Sequence, residues 1–330
     1  MDMIYDCFTF FNELDLLEIR LNVLKDVVDK FVLVEATRTF TNRKKQLIYA
    51  QNKSRFASFS DRIIHVVVDD FPPFKTAWHY ESHQRNAIIR GLREACPLDV
   101  ILIGDVDEIP RPEMVLKYAN RPGITVFDQK YYSYYLNYRN VRQQWWYGTK
   151  MLAYDDFMHV FDGIRTINNE IMPKELNEGT TPSKIRMRTP PFYRARTRYV
   201  KNGGWHFTNI GGAKNLMIKM CSFSHQEYNP GEEKINLLKL TEMIAQGKGP
   251  FWEMQCFAEP LDSSFPVYLQ DNTASYGSLI FPVTNEYISK SRIPRMIGTV
   301  RGSVIGFLER IIPASLHNLL HLCKVHFRKG

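Results

Sequence analysis

Residues 100–108 read Val-Ile-Leu-Ile-Gly-Asp-Val-Asp-Glu, four aliphatic residues followed at once by a glycine and a run of acids. A short, mostly β-branched apolar run of this kind predicts a buried strand. Asp105 and Asp107 then stand two residues apart, where a loop leaving a strand can turn both carboxylates toward one cation. Hard divalent ions take such oxygen ligands and keep positions open for substrate phosphate. Pro110 and Pro112 close the turn. The plainer alternative is a solvated acidic turn.

The chain upstream alternates strand and helix. Residues 4–10, 31–34 and 63–68 are further β-rich apolar runs. Between the first two, Leu14, Leu17, Leu21, Leu24 and Val28 recur at helical spacing, with Asn12 as N-cap and Asp15 three residues on, as in a capping box. After the break at Pro72-Pro73, residues 81–95 read as a helix with Ile88, Leu92 and Ala95 inward. This alternation predicts an α/β fold with a mainly parallel sheet covered by helices, Rossmann-like, with ligands beyond the carboxyl ends of the strands. By that rule the two aspartates lie at the ligand edge. From residue 123 aromatic strands and loops take over, and only 232–245 again reads clearly as helix. Three parts are expected: a nucleotide-binding half, 1–122; an acceptor and catalytic half of the same domain, 123–289; and a basic amphipathic tail, 290–330.

Composition narrows the class. Of 330 residues, 44% are hydrophobic and 24% charged, as in globular proteins. The aromatic share of 13% includes Tyr131-Tyr132-Ser133-Tyr134-Tyr135, and most of these rings must be core. The five cysteines are scattered and form no C-x-x-C pair, against a disulfide framework or a zinc-thiolate site. The N-terminus has no signal-peptide pattern and no apolar run is long enough to span a bilayer, so a cytoplasmic location is expected.

Six stretches carry a resemblance: FFNELDLLEIRLNVL (10–24), VDKFVLVEAT (28–37), QRNAIIRGL (84–92), IGDVDEIPRP (103–112), GGWHFTNIGG (203–212) and FSHQEYN (223–229). In this order they resemble the β-1,4-mannosyl-glycoprotein β-1,4-N-acetylglucosaminyltransferases, glycosyltransferase family seventeen. The resemblance implies a GT-A fold and an inverting transferase that takes a UDP-sugar, UDP-N-acetylglucosamine in the characterised branch. It also implies a divalent ion, Mn2+ or Mg2+, and a glycan or glycolipid acceptor. The animal enzymes carry a membrane anchor, and none is read here; a bacterial-type relative is expected.

The resemblance assigns residues. Phe11 and Asn12 match the first-strand turn that opens the nucleotide pocket, Asn12 being equally readable as a helix cap. Glu35 matches the second-strand acid that holds base or ribose. Arg85 and Asn86 match donor contacts, although Glu81 and Arg85 could simply be an i,i+4 pair. Asp105 would touch both the donor and the metal, with Asp107 and His225 as the other metal ligands. Gly203-Gly204-Trp205-His206 suits a loop closing over the donor; a core tryptophan beside a buried histidine is the alternative. Inversion needs a base for the acceptor hydroxyl, and Glu227 and His206 are the candidates.

The net charge of +8 is concentrated. Residues 290–330 hold eight Lys and Arg against Glu309 alone, beside an apolar stripe of Leu316, Leu319, Leu320, Cys323 and Phe327, the pattern of a helix lying on an anionic membrane surface. A peripheral position on the inner membrane face and a lipid-linked acceptor are therefore expected, the alternative being that the stripe packs on the domain. In a second basic tract Lys184, Arg186 and Arg188, then Arg194, Arg196 and Arg198, alternate around Pro190-Pro191. This predicts a hairpin with a basic face, either solvated or gripping a phosphorylated acceptor. The competing functions are a haloacid-dehalogenase-like phosphatase and a non-enzymatic basic protein binding membrane or nucleic acid. No nucleic-acid motif accompanies the basic tracts, so no nucleic-acid partner is expected.

Overall fold

A computed structural model of the chain describes residues 2–157, 181–187, 197–251 and 254–284. Arg188, Arg194, Arg196 and the whole tail lie outside the described residues. Four parallel strands form in the places the apolar runs predict: β1 (Ile4–Phe10), β2 (Lys30–Ala36), β3 (Ile63–Val68) and β4 (Val100–Asp105). Their order is β3-β2-β1-β4, with Thr9 of β1 opposite Asp105 of β4. Helix α1 (Leu14–Leu24) lays Leu17, Leu21 and Leu24 on one face of this sheet. Short helix α2 (Ile48–Gln51) precedes β3, and helix α3 (Ala77–Asn86) leads toward β4.

The second half completes the same sheet. After β5 (Glu108–Pro110) and helix α4 (Pro112–Tyr118) come β6 (Thr125–Ser133), β7 (Tyr138–Asn140) and β8 (Trp145–Ala153). Strand β8 pairs antiparallel with β4, and β6 antiparallel with β8. Helix α5 (Thr181–Met187) is followed by the long β9 (Arg198–Thr208), which runs parallel to β6 and antiparallel to β5. Helices α6 (Gly212–Ser222) and α7 (Leu237–Ala245), strand β10 (Cys256–Ala258) and helix α8 (Val267–Asp271) follow. The expected parallel sheet is present over β3-β2-β1-β4, and it becomes mixed beyond β4, where antiparallel β8 and β6 continue it.

Several local expectations are corrected. Asn12 does not cap α1: Glu13 is the cap residue, and its Oε2 accepts the backbone N–H groups of Phe11 and Asn12 at 3.1 and 3.0 Å. The helix expected over 81–95 starts at Ala77 and tightens into a 3-10 turn over Ala87–Gly91. That turn presses against β2, where a Cβ on Gly91 would lie 2.4 Å from Val32 Cγ1. Residues 181–187 form a helix, so Lys184 and Arg186 do not lie on a strand.

Gly203-Gly204-Trp205-His206 is not a loop but the middle of β9. The glycines serve close approach rather than freedom: a Cβ on Gly204 would lie 2.2 Å from the Ile109 carbonyl oxygen across the ladder. Trp205 is core, donating to the Ser264 carbonyl at 2.9 Å with the Arg111 guanidinium 4.2 Å above its ring.

Candidate active site

The site is built on the loop between β4 and β5. Asp105 ends β4 at the carboxyl edge of the parallel strands, and its carboxylate is crowded by donors. Thr9 Oγ1 donates to Oδ1 at 3.0 Å, Arg85 Nη1 to Oδ1 at 2.6 Å, and Arg186 Nη2 to Oδ2 at 3.1 Å. Burial disfavours the charge, but Arg85 and then Arg186 outweigh it and hold the carboxyl well below the usual carboxylate range. Arg85 also keeps its i,i+4 partner, Glu81, at 2.9 Å. It thus makes both the helix pair and the contact with Asp105.

Asp107 faces the other way. Its Oδ2 lies 3.5 Å from His206 Nε2 and 4.0 Å from Lys219 Nζ. Burial again opposes ionisation, and the neighbouring His206 outweighs it, lowering the carboxyl. The His206 ring stacks on Tyr131 and tilts against Trp146, each 4.9 Å away in a three-ring cluster, and its buried Nδ1 has no hydrogen-bond partner among the described residues.

Three residues that the sequence does not tie to the acidic loop hold it in shape. Glu108 is fully buried; it receives the Trp146 indole N–H at 2.6 Å and the Asp105 backbone N–H at 3.1 Å, and it pairs with Arg186. Arg20 of α1, also fully buried, donates to the carbonyls of Asp105, Val106 and Glu108. Arg186 was read as one of a basic tract. Helix α5 instead inserts it between Asp105 and Glu108, held to α3 by Ser183 N donating to Asn86 Oδ1 and by Ser183 Oγ against Ser82 Oγ, both at 3.1 Å. Lys150 of β8 lies beneath, donating to the Arg186 carbonyl.

The other expected site residues are dispersed. Asn86 spends its carbonyl oxygen on α5. Glu35 is fully buried and serves protein groups: Oε1 accepts from Tyr49 N at 2.9 Å, Oε2 meets His65 Nε2 at 3.1 Å, and Lys45 lies at 3.8 Å. Phe11 carries Lys45 5.4 Å above its ring. His225 Nδ1 pairs with Glu227 Oε1 at 2.6 Å, against Trp78 of α3. For Glu227, burial pulls the carboxyl upward, but the His225 hydrogen bond, a backbone N–H and the His225 charge together outweigh it and lower the carboxyl.

Among the described residues no three His, Cys, Asp or Glu side chains are grouped to hold a metal ion. Asp105, Asp107 and His225 are therefore not assembled as one donor set. The chemistry of the residues present still fits a hard divalent cation at Asp107, whose protein partners approach Oδ2 and leave Oδ1. Such ions are commonly held by one or two carboxylates with substrate phosphates and water.

Comparison with known proteins bears on this arrangement. The chain matches the model of glycosyltransferase family 17 over residues 1–166. It belongs to that family. The matched region carries β1 to β8 and the Asp105–Asp107 loop, in a fold of the α/β type. Similar relatives are the human and rat β-1,4-mannosyl-glycoprotein 4-β-N-acetylglucosaminyltransferases, each 32% identical over 113 residues, or 32% of this chain. The chain spans only 21% of the length of these relatives. Solved structures similar to it include the mannosyltransferase PcManGT from Pyrobaculum calidifontis in complex with GDP-Man and Mn2+, 11% identical with a TM-score of 0.33, covering 91% of this chain and 86% of that one. The galactosyltransferase LgtC in complex with donor and acceptor sugar analogs is 11% identical with a TM-score of 0.31, covering 88% and 100%.

Proposed function

We propose that the chain transfers a sugar, N-acetylglucosamine by analogy with its relatives, from a UDP-sugar to a glycan or lipid-linked acceptor with inversion. The observation that carries this reading is the set of cations around two aspartates at the carboxyl edge of the sheet: Arg85 and Arg186 at Asp105, and Lys219 at Asp107. A diphosphate leaving group needs its growing charge met by fixed positive groups, and preorganised groups do this without reorganisation at the moment of reaction. Buried Nε–H groups of Arg85 and Arg186 have no acceptor among the described residues and add donors to that set. A Mn2+ or Mg2+ ion at Asp107 would supply further charge to the diphosphate.

His206 is the base this reading favours. Asp107 on Nε2 orients the ring, so the nitrogen left to take the acceptor hydroxyl proton is the buried Nδ1, which a bound acceptor must reach. Family membership sets the phosphatase reading aside. The basic tail supports a peripheral position on the cytoplasmic face of an anionic membrane, where a lipid-linked acceptor would be met; sedimentation with anionic vesicles at low salt tests that part.

For the reaction itself, the test is thermal protection and turnover across a panel of nucleotide sugars, with and without Mn2+. The expected result is protection by UDP and turnover of UDP-N-acetylglucosamine, both reduced by chelator. Protection by another nucleoside diphosphate in preference to UDP would reassign the donor, and no nucleotide-sugar turnover at all would end the reading.

A further inference from the structure

Two turns along α3 from Arg85 stands Trp78. Seven residues of α-helix return a side chain to nearly the same face and advance it roughly 10 Å, so Trp78 and the arginine that clamps Asp105 share one side of the helix. Glu81, one turn from each, lies between them and pairs with Arg85. Trp78 differs from these two in being open: 38% of it is exposed, whereas Glu81 and Arg85 are buried.

The group beside Trp78 is polar as well as aromatic. The His225 ring meets the indole edge-on, with centroids 4.6 Å apart, and His225 Nδ1 holds Glu227 Oε1 at 2.6 Å. Both side chains remain accessible, His225 at 34% and Glu227 at 56%. Behind them Phe223 and Tyr228 flank His225 at 5.8 and 6.1 Å, and both pack on Phe251. An exposed indole in this setting is fixed in place rather than free to swing. Phe223 and Tyr228 come from the segment after α6, far from α3 in the chain, so two parts of the fold meet at this spot.

An aromatic plane bordered by a carboxylate suits one class of ligand. A pyranose has an apolar face of C–H groups and an equatorial rim of hydroxyls; the face stacks on an aromatic ring while the rim donates to an ionised carboxylate. We infer that Trp78, His225 and Glu227 form a subsite for a pyranose ring of the acceptor glycan, outside the donor site and on the same face of α3. This rests on the glycosyltransferase reading for the word acceptor, though not for the binding of sugar. Spacing of the order of one disaccharide from the Asp105 cluster places the stacked ring beyond the residue that receives the transferred sugar. Glu227 then contacts the acceptor rim, and proton abstraction is left to His206.

The experiment measures sugar binding apart from turnover. Full-length chain is titrated by saturation-transfer NMR with methyl β-mannoside, di-N-acetylchitobiose and β-mannosyl-chitobiose, and UDP protection is followed in parallel by thermal melting. Wild type is expected to bind at least one of the two oligosaccharides. Trp78→Ala should weaken that binding about tenfold or more, Trp78→Tyr should restore most of it, and Glu227→Gln should weaken it with the indole intact. UDP protection should be the same in all four proteins. No oligosaccharide binding by wild type overturns the subsite, and so does equal binding by Trp78→Ala. Loss of UDP protection in wild type with Trp78-dependent sugar binding preserved would instead end the transferase reading and leave the sugar subsite standing.

Discussion

Arg20 and Asp6 form a fully buried, bidentate ion pair, with Nη2 to Oδ1 at 2.6 Å and Nε to Oδ2 at 2.7 Å. The remaining Nη1 donates to the carbonyls of Asp105 and Glu108 at 2.9 and 2.7 Å. The helix after the first strand thereby grips the backbone of the acidic loop from below. A buried pair of this kind is strongly felt when one partner goes, since the other is left charged and unpaired.

Arg20→Leu should therefore destabilise the chain by about 3–5 kcal/mol, and Asp6→Leu by a similar amount. The double variant should recover part of the loss, because neither charge is then stranded. Urea unfolding of the three proteins measures this; additive losses in the double variant would show that the two residues act separately.

Asp105→Asn removes the charge shared by Arg85 and Arg186 and one of the two oxygens that accept from them. UDP protection should be lost, and stability should fall by about 1–3 kcal/mol as one buried donor loses its acceptor and faces an amide N–H. Arg186→Gln should raise the donor KM with a smaller effect on stability. An unchanged donor KM in Arg186→Gln would make α5 a structural insert only.

His206→Gln keeps a polar side chain beside Tyr131 and Trp146 but cannot take a proton. Turnover should fall by about 10²–10⁴-fold while UDP protection is retained. Single-turnover rates across pH check it: a variant with near wild-type kcat would move the base elsewhere.

Burial, followed by the neighbouring charge of Arg186, pushes the Lys150 ammonium down to about 7. Its ordinary value is about 10.4, so between these pH values the unfolded chain binds a proton that the folded chain does not. Stability gains from this group as pH rises through that window, and below about 7 the penalty of the buried charge is fully present. Lys150→Met should flatten the rise relative to wild type. Equal pH slopes for the two proteins between 7.5 and about 10 would refute it.

A Cβ at residue 204 would meet the Ile109 oxygen at 2.2 Å and the Pro110 Cα at 2.8 Å, both on backbone. Gly204→Ala should cost about 1–3 kcal/mol by overpacking and shift His206 relative to Asp107. Amide exchange at Ile109 and Trp205 should rise. Wild-type protection there would mean that β5 and β9 can separate without cost.

Local pattern alone determined the parallel half of the fold and the place of the acidic loop. Apolar runs at 4–10, 31–34, 63–68 and 100–103 and the leucine stripe between the first two depend only on which residues are buried along one element, and the strands and α1 form where they predict. The clustered charges could not be read in this way. Arg186 lies 81 residues from Asp105, and Arg20 lies 85; nothing in the spacing of either links it to the loop. One signal was present: Asp6 stands inside an apolar strand run, and a buried carboxylate demands a cation. The dispersal of His225 and Glu227 to Trp78, the burial of Glu35 among Tyr49, His65 and Lys45, and the strand geometry of Gly203-Gly204 are likewise tertiary. In each, a short polar or glycine-rich motif has several locally satisfactory uses, and the choice between them was made by which distant backbone or charge the fold brought within a few ångströms.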